Sequence, residues 1–380
     1  MRREAGKKKT IFINCGNLTR RTIKNDFQIK YQVLKTALAG YDMMGADIFT
    51  PGAQELIYGR QMMLALKSYT DKSAIICGNL KGAPIPGFRT HKLINIDGKK
   101  ILITSIVDKK LERKAIHGLK VEDPLKSLNQ LLKIPHDLAI AVLHFSDKRA
   151  RRFLRTTSGL DIAILGTQRG VIRKNEVINN CLIIKNNNHG KTIGYLDWNF
   201  ATGKVSENKL LSISKATYPA NKKVVELVDK HEAWLRQHYI EVENSKAEKT
   251  DPTLANEIPY VGNSKCVSCH PEIAASWKKT RHAAAYATLQ KKCKDFCPDC
   301  LPCHSTGSQE HGKKGFRSPS ITPYLFNVQC EECHGPARTH VKNPKKPYKK
   351  TINAGVCIVC HTTNTDPEFS FPEDRKLIAH

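Results

Sequence analysis

The sequence predicts an α/β sandwich at residues 1–220, a helix and linker at 221–257, and a smaller domain of short helices and irregular structure at 258–380. In the first region, apolar runs rich in β-branched residues alternate with stretches of helical periodicity, which is the pattern of a sheet covered by helices. Residues 241–260 are polar and interrupted by proline, as is typical of a linker. The last region has little periodicity, many turn residues and one pentapeptide pattern that occurs four times.

The elements of the first region follow from periodicity and turn residues. Strands are predicted, from short apolar and β-branched runs, at 10–15, 47–50, 73–78, 101–107, 138–144, 161–165, 180–185 and 192–198. Helices are predicted at 26–45, from Gly52 to about Tyr69, and at 122–133, 147–158 and 222–240.

The repeated pentapeptide is C-x-x-C-H, the attachment sequence for c-type haem. Its two cysteines form thioethers with the haem vinyl groups, and the histidine becomes the proximal iron ligand, because one helical turn places all three on one side of the ring. With 13 Cys and 15 His in the chain, chance predicts about 0.02 such motifs. The predicted attachment residues are Cys266, Cys269, Cys300, Cys303, Cys330, Cys333, Cys357 and Cys360, and the proximal ligands are His270, His304, His334 and His361. Four haem c groups are therefore expected.

Zinc is the alternative cofactor, because paired C-x-x-C sequences also form zinc ribbons. Zinc explains the cysteines but not a histidine after every pair, so haem is preferred. The formal net charge of +27 is compatible with an anionic membrane surface as a partner, although a basic balance is more often a solvated surface. No nucleic-acid-binding motif is present, so nucleic acid is not expected as a partner.

The location of the protein is predicted from its cofactor. Covalent haem is attached outside the cytoplasm, so a periplasmic or extracellular protein is expected. The sequence has no apolar run long enough to span a bilayer, and MRREAGKKK is not a signal peptide. Either a leader was removed or, as we expect, the first residue lies inside a longer gene product.

Each haem iron needs a sixth ligand to be low-spin. After the linker, the histidines outside the pentapeptides are His282, His311, His340 and His380. All five methionines lie at or before residue 63, so elimination predicts bis-histidine haems of low potential. His231 and His238, on the predicted helix 222–240, are either surface residues or ligands that reach a haem from the linker side.

The first region resembles the calcineurin-like metallophosphoesterases, specifically the 5′-nucleotidase branch. The stretches that carry the resemblance are GYDMMGADIFTPGAQELIYG, AIICGNL, AVLHFSD and GLDIAILGTQRG. The family binds two metal ions that activate water on a phosphoester. Most ligands are absent here: Asn17 replaces the bridging aspartate, Ala53 lies in the family's G-N-H-E motif, and Thr167 replaces a histidine. The resemblance therefore implies a scaffold that has lost its metals, in which His144 is structural.

The last region resembles the tetrahaem cytochrome c-554 family across residues 258–380. The match includes YVGNSKCVSCH, the W-x-x-T-x-H-A-x-A stretch from Trp277 to Ala285, CLPCHSTG, NVQCEECHGPARTH and the closing KLIAH. The resemblance implies that His380 serves the first haem, His282 the third and His340 the fourth, and that the second haem is five-coordinate. His311 lies where the family usually has no histidine, so it either caps the second haem or is a solvated loop residue.

The remaining cysteines are Cys15, Cys77, Cys181, Cys293 and Cys297. Cys293 and Cys297 are close enough in sequence for a local disulfide, or they are two free thiols. The other three belong to predicted strands, where a buried free thiol is the usual state.

Taken together, these features predict an extracytoplasmic electron carrier that works with redox partner proteins and whose first domain is a docking or structural element. One alternative is an enzyme that reduces a small nitrogen oxide at an open second haem. Another is a phosphoesterase that binds metals despite the substitutions. A further alternative is self-association of the tetrahaem chain into stacked or filamentous assemblies.

Overall fold

The chain is described from a computed structural model. The described residues are 9–19, 27–70, 72–82, 85–114, 118–166, 176–186, 190, 192–214, 217–247, 257–346, 348, 351–363 and 365–379. The chain divides into two compact units, Met1–His231 and Glu232–His380, each of which is described by itself.

Strands and helices alternate along the first unit. Its strands are β1 (Ile13–Asn14), β2 (Ile48–Phe49), β3 (Ala74–Ile76), β4 (Leu80–Gly82), β5 (Phe88–Arg89), β6 (His91–Ile96), β7 (Lys99–Val107), β8 (Leu119–Val121), β9 (Leu138–His144), β10 (Ile162–Leu165), β11 (Glu176–Ile178), β12 (Cys181–Ile184), β13 (Thr192–Asn199) and β14 (Lys204–Ser212). Its helices are α1 (Phe27–Met43), α2 (Ala53–Leu56), α3 (Gly59–Lys67), α4 (Pro124–Leu131) and α5 (Asp147–Leu154), and α6 (Lys222–Ala247) contains the point at which the two units divide.

Two sheets form the centre of this unit. One is parallel throughout, in the order β1-β2-β3-β5. The other has the order β11-β12-β10-β9-β7-β6, with parallel inner strands and an antiparallel strand at each edge. The inner strands read as continuous apolar runs because both faces are buried, and in their register Ile103, Ile140 and Ile162 lie side by side.

The predicted sandwich is confirmed by the packing of these layers. A cluster rich in isoleucine joins residues of both sheets, for example Ile48 of β2 and Ile103 of β7. Helices α1 and α3 cover the outer face of the first sheet, and α4 and α5 cover the outer face of the second. The unit is therefore a four-layer α/β/β/α sandwich whose interior is built from side chains.

Several predicted boundaries differ from the observed ones. The helix predicted from Gly52 to Tyr69 is two helices, because Gly59, the first residue of α3, has a left-handed φ of 66° that interrupts the helical path between α2 and α3. The first strand is only two residues long, and α6 extends beyond residue 240 to Ala247. The sequence pattern did not predict β6 or β14, which lie at a sheet edge and in a hairpin with β13.

The second unit contains short helices joined by turns. They are α7 (Ser264–Val267), α8 (Pro271–Lys278), α9 (Ala285–Gln290), α10 (Leu301–His304), α11 (Cys330–His334), α12 (Arg338–Lys342), α13 (Ala354–Cys357) and α14 (Phe371–Asp374). Single 3₁₀ turns occupy Arg281–Ala284, Gln309–His311, Pro323–Leu325 and Arg375–Leu377. Among the described residues, no helix is both long enough and apolar enough to cross a membrane.

The side-chain core of the second unit is small. Its buried cluster consists of Ile258, Tyr260, Tyr286, Leu289, Leu301, Phe316 and Leu325. Apolar side chains of the fourth pentapeptide and of the turn Arg375–Leu377 are exposed instead, among them Ile358 at 54% and Leu377 at 77%. Such surface is expected where a large apolar group lies against the chain.

Candidate functional site

Each pentapeptide contains a short helix or helical turn, as the attachment chemistry requires. The amide of His270 donates to the carbonyl of Cys266 at 2.9 Å, and the amide of His361 donates to the carbonyl of Cys357 at 2.9 Å. The last four residues of the second pentapeptide form α10, and the third pentapeptide forms the whole of α11. The three reactive side chains of each motif are thus held within one turn of backbone.

Two of the proximal histidines are oriented by hydrogen bonds at Nδ1. His304 Nδ1 lies 2.6 Å from the carbonyl oxygen of Ala285, and His361 Nδ1 lies 2.8 Å from Oδ2 of Asp366. Both partners accept, so Nδ1 carries the proton and Nε2 keeps its lone pair for a metal. This is the tautomer that an iron-ligating imidazole needs, so the residues present fit haem c. Sequence reasoning missed Asp366, although its position five residues after the motif histidine was a usable signal.

Cysteines of different pentapeptides lie side by side. Cys266 shares a hydrogen bond with Cys330, which raises the pKa of the Cys266 thiol and lowers that of Cys330 to about 7. A hydrogen bond with Cys360 likewise lowers the pKa of Cys303 to about 7. The pKa of Cys333 is raised to about 11, first by burial and then by the nearby Cys357. In space, therefore, the first pentapeptide neighbours the third, the third neighbours the fourth, and the fourth neighbours the second.

The candidate sixth ligands have different surroundings. The ring of His282 lies 6.1 Å from the ring of His361 at an interplanar angle of 60°, and burial and then His361 lower its pKa. The ring of His340 stacks on Tyr348 with a centroid distance of 4.8 Å. The ring of His282 thus lies beside His361 of the fourth pentapeptide, and its carbonyl accepts from the amide of Val328, just before the third pentapeptide, which is the site that the resemblance implied. His380 lies outside the described residues.

His311 lies between two attachment motifs. One of its ring nitrogens, Cys303 Sγ and Cys360 Sγ are all within 4.8 Å of one another. Within the described part of the chain, this is the only group of three or more His, Cys, Asp or Glu side chains close enough to share a metal ion. It combines residues of two pentapeptides and has three donors, whereas a structural zinc ribbon uses four. This arrangement does not favour the zinc alternative.

His231 and His238 lie on α6. The ring of His231 is 3.1 Å from the hydroxyl of Thr36, and that of His238 stacks on Trp234 with a centroid distance of 5.0 Å. These contacts are those of residues that pack at a helix surface.

The cysteines outside the pentapeptides are free thiols. Cys77 and Cys181 are buried, as predicted, and burial raises the pKa of each to about 12, as it does for Cys15. Cys293 and Cys297 form no disulfide in this structure. Instead, Cys297 shares a hydrogen bond with Cys300, which lowers the pKa of Cys297 to about 7.

In the first unit, a turn built around a buried carboxylate lies where the resemblance implies a lost metal centre. Gly16 and Asn17 both have positive φ, at 66° and 56°. Glu55 then accepts from the amides of Asn17 at 2.9 Å, Leu18 at 2.7 Å and Gly52 at 2.8 Å. Protein groups thus satisfy this carboxylate without a metal.

His144 remains at the same end of the sandwich. Its Nε2 lies 3.3 Å from the hydroxyl of Thr50, and burial lowers its pKa to about 4. Its buried Nδ1 has no hydrogen-bond partner among the residues that the structure describes. It borders a small pocket of about 140 Å³ together with Ala53, Val107, Asp108, Lys110 and Leu111. Thr167, Gln168 and Arg169 lie outside the described residues.

Comparison with known proteins gives relatives for both units. Residues 265–335 match the family Cytochrome c554 and c-prime. Cytochrome c-554 of Nitrosomonas europaea is 40% identical over 101 residues, which cover 23% of this chain and 42% of that protein, so the match spans less than half of the relative's length.

Solved structures resemble the chain in fold. The sulfate thiohydrolase SoxB of Thermus thermophilus superposes with a TM-score of 0.53 at 12% identity, covering 62% of this chain and 45% of that one. A 5′-nucleotidase precursor from the same species superposes with a TM-score of 0.48 at 15% identity, covering 62% and 51%. The first unit has a metallophosphoesterase-like α/β fold. The C-terminal part resembles the cytochrome c-554 family and is related to haem-binding c-type cytochromes.

Proposed function

We propose that the protein is an extracytoplasmic electron carrier with four covalently attached haem c groups. The observation that carries the proposal is that all four C-x-x-C-H sequences contain a helix or helical turn, with two proximal imidazoles already oriented for iron. When bound, haem c supplies a one-electron Fe(III)/Fe(II) couple whose potential depends on its axial ligands. The relationship to cytochrome c-554 supports a periplasmic location.

The contacts between cysteines support an order for the attachment sites. Cys266 lies at Cys330, Cys333 near Cys357, and Cys360 at Cys303. The sites therefore follow one another as first, third, fourth and second. The first and second sites would be the two ends of the series and the natural places for redox partners to dock.

The ligands of the fourth haem are proposed from the histidine geometry. Two imidazoles bound to one iron from opposite sides have their rings about 6 Å apart. The ring centroids of His282 and His361 are 6.1 Å apart, a separation that would allow both imidazoles to hold one iron. His282 is therefore proposed as the sixth ligand at the fourth site.

A direct test is to purify the exported holoprotein and count its haems by pyridine haemochrome and intact mass. Four covalent haems per chain are expected, and Cys→Ser at Cys266 and Cys269 together should remove one. Cys293→Ser is the matched control and should leave the count unchanged. Zinc without haem would overturn the proposal.

A second candidate function is reduction of a small nitrogen oxide at the second haem. Both hydrogen bonds of the His304 ring, to the carbonyl of Ala285 and the hydroxyl of Thr288, are made at Nδ1 and leave Nε2 for the iron. The resemblance to cytochrome c-554 implies that this haem has no sixth ligand. An open iron position is what binding of such a molecule requires. A high-spin ferric signal that shifts on adding nitric oxide would support this candidate, and four low-spin haems would exclude it.

We further propose that the first unit is a scaffold without catalytic metals. The Glu55 carboxylate accepts hydrogen bonds from three backbone amides, and the Ala53 side chain has no atom that can bind a metal. Hydrolysis of a model phosphoester on adding divalent metal, abolished by His144→Ala, would contradict this view.

A further inference from the structure

The loop between the second and third pentapeptides, residues 305–316, is termed here the bridging loop. It closes as a tight hairpin. The amide of Gly315 donates to the carbonyl of Gly307 at 2.7 Å, and the amide of Phe316 donates to the carbonyl of Thr306 at 2.9 Å. At its tip, the amide of Lys313 donates to the carbonyl of Ser308 at 3.2 Å. The loop therefore has a defined conformation.

The bridging loop is anchored on the third pentapeptide. The amide of Gly307 donates to Oε2 of Glu332 at 2.6 Å, and Lys313 forms an ion pair with the same carboxylate. The side chains of Lys313 and Glu332 are only 21% and 7% exposed. Removing one partner of so shielded a pair leaves the other charge uncompensated, so the pair holds the loop firmly.

The same loop presents His311 to the other two motifs. A ring nitrogen of His311 lies within 4.8 Å of both Cys303 Sγ, in the second pentapeptide, and Cys360 Sγ, in the fourth. Thioether sulfurs lie at the edge of a porphyrin, whereas a sixth ligand lies over its centre, on the face opposite the proximal histidine. A nitrogen that approaches two such sulfurs closely is therefore at the ring edges and not above an iron.

We infer that His311 is a positioning residue wedged between the edges of the second and fourth haems, and that it ligates neither iron. The inference rests on the proposed function, because it concerns attached haems. In this role His311 sets the spacing of the two edges and excludes water between them, while the Lys313–Glu332 pair keeps it in place. The potentials of these two haems then depend on His311 although their ligands do not.

The inference is tested on the holoprotein with His311→Ala, His311→Gln, Lys313→Ala and, as the matched control, Lys314→Ala, since Lys314 is exposed in the same loop. The readouts are haem count by mass, the number of low-spin haems by electron paramagnetic resonance, and the four midpoint potentials. We expect His311→Ala to retain four haems and the low-spin count but to shift two potentials. Lys313→Ala should shift the same two, His311→Gln should shift them less, and Lys314→Ala should shift none.

Two results would overturn the inference. Conversion of one haem from low-spin to high-spin in His311→Ala would make His311 a ligand, and unchanged potentials in all variants would make it a passive loop residue. If His311→Ala cannot be purified, the more conservative His311→Gln is measured instead. A low-spin to high-spin change in that variant, or four unchanged potentials, would likewise overturn the inference. Failure of the proposed function is distinct from either, because the parent protein would then carry no haem.

Discussion

At the scale of single residues, His282 is expected to determine the coordination state of one haem. Its ring centroid lies 6.1 Å from that of His361, and we propose that the two imidazoles share an iron. On that basis His282→Ala should convert one low-spin haem to high-spin and leave the haem count at that of the parent. His282→Met should keep that haem low-spin and raise its potential, because a thioether favours ferrous iron. Electron paramagnetic resonance and a redox titration measure both effects.

The control for this prediction is His238→Ala, which removes an imidazole that stacks on Trp234. It should change neither the spectrum nor the potentials. If His282→Ala retains every low-spin signal, the pairing of His282 with His361 is wrong.

His144 provides a second prediction at this scale, on pH dependence. Its pKa is about 4 in the folded chain and about 6.5 when unfolded. Below pH 6.5 the unfolded state binds more protons, so the stability contributed by neutral His144 is present above that pH and is lost as pH falls toward 4. Between pH 7 and pH 5, we expect His144 to lower the free energy of unfolding of the first unit by about 2 kcal/mol.

This loss should be absent in His144→Asn. Pulse proteolysis in urea at pH 7 and pH 5 gives the unfolding free energies, and His91→Asn, on edge strand β6, is the control that should behave like the parent. Equal pH dependence in the parent and His144→Asn would show that another group titrates.

At the scale of elements, the turn after β1 and the start of α2 depend on one carboxylate. Glu55 accepts from three amides, two from the turn and one from Gly52 at the helix start. Glu55→Ala should therefore lower the free energy of unfolding of the first unit by about 3 kcal/mol, because three amide donors lose their acceptor. Urea unfolding measures the change.

Gln54→Ala, on the neighbouring residue of the same helix, is the matched control and should cost about 0.5 kcal/mol or less. A similar loss in both variants would mean that the helix, and not the carboxylate, stabilises this corner of the sandwich.

At the scale of the whole molecule, the two units differ in what forms their interior. Among the described residues, the first contains three buried side-chain clusters arranged in layers, whereas the second contains one small cluster and exposes Ile358, in its fourth pentapeptide, and Leu377, in its last turn. Four haems would supply the missing apolar area. Folding of the second unit should therefore depend on haem attachment, and folding of the first should not.

Replacing the eight pentapeptide cysteines by serine tests this difference. Limited proteolysis followed by mass spectrometry should yield a resistant fragment from the first unit and none from the second, while the parent holoprotein resists in both. A second unit that stays resistant without haem would show that its side chains suffice.

Features that depend on a few neighbouring residues were determined by the sequence alone. A C-x-x-C-H motif is complete within five residues and its geometry needs only one helical turn, so a helical turn at each motif could be predicted directly. The alternation of apolar strands and helices likewise predicted the α/β sandwich, because buried parallel strands need continuous apolar runs. The break at Gly59 was not predictable, since a glycine inside a helical pattern is often tolerated.

Only the tertiary structure decided which distant residues meet. His282 and His361 are separated by most of the second unit's sequence, and resemblance alone implied a different partner for His282. The approach of His311 to Cys303 and Cys360 and the ion pair of Lys313 with Glu332 depend on how three motifs pack around one loop. Motif spacing carries no information on such contacts, because they arise from packing between segments and not from local backbone geometry.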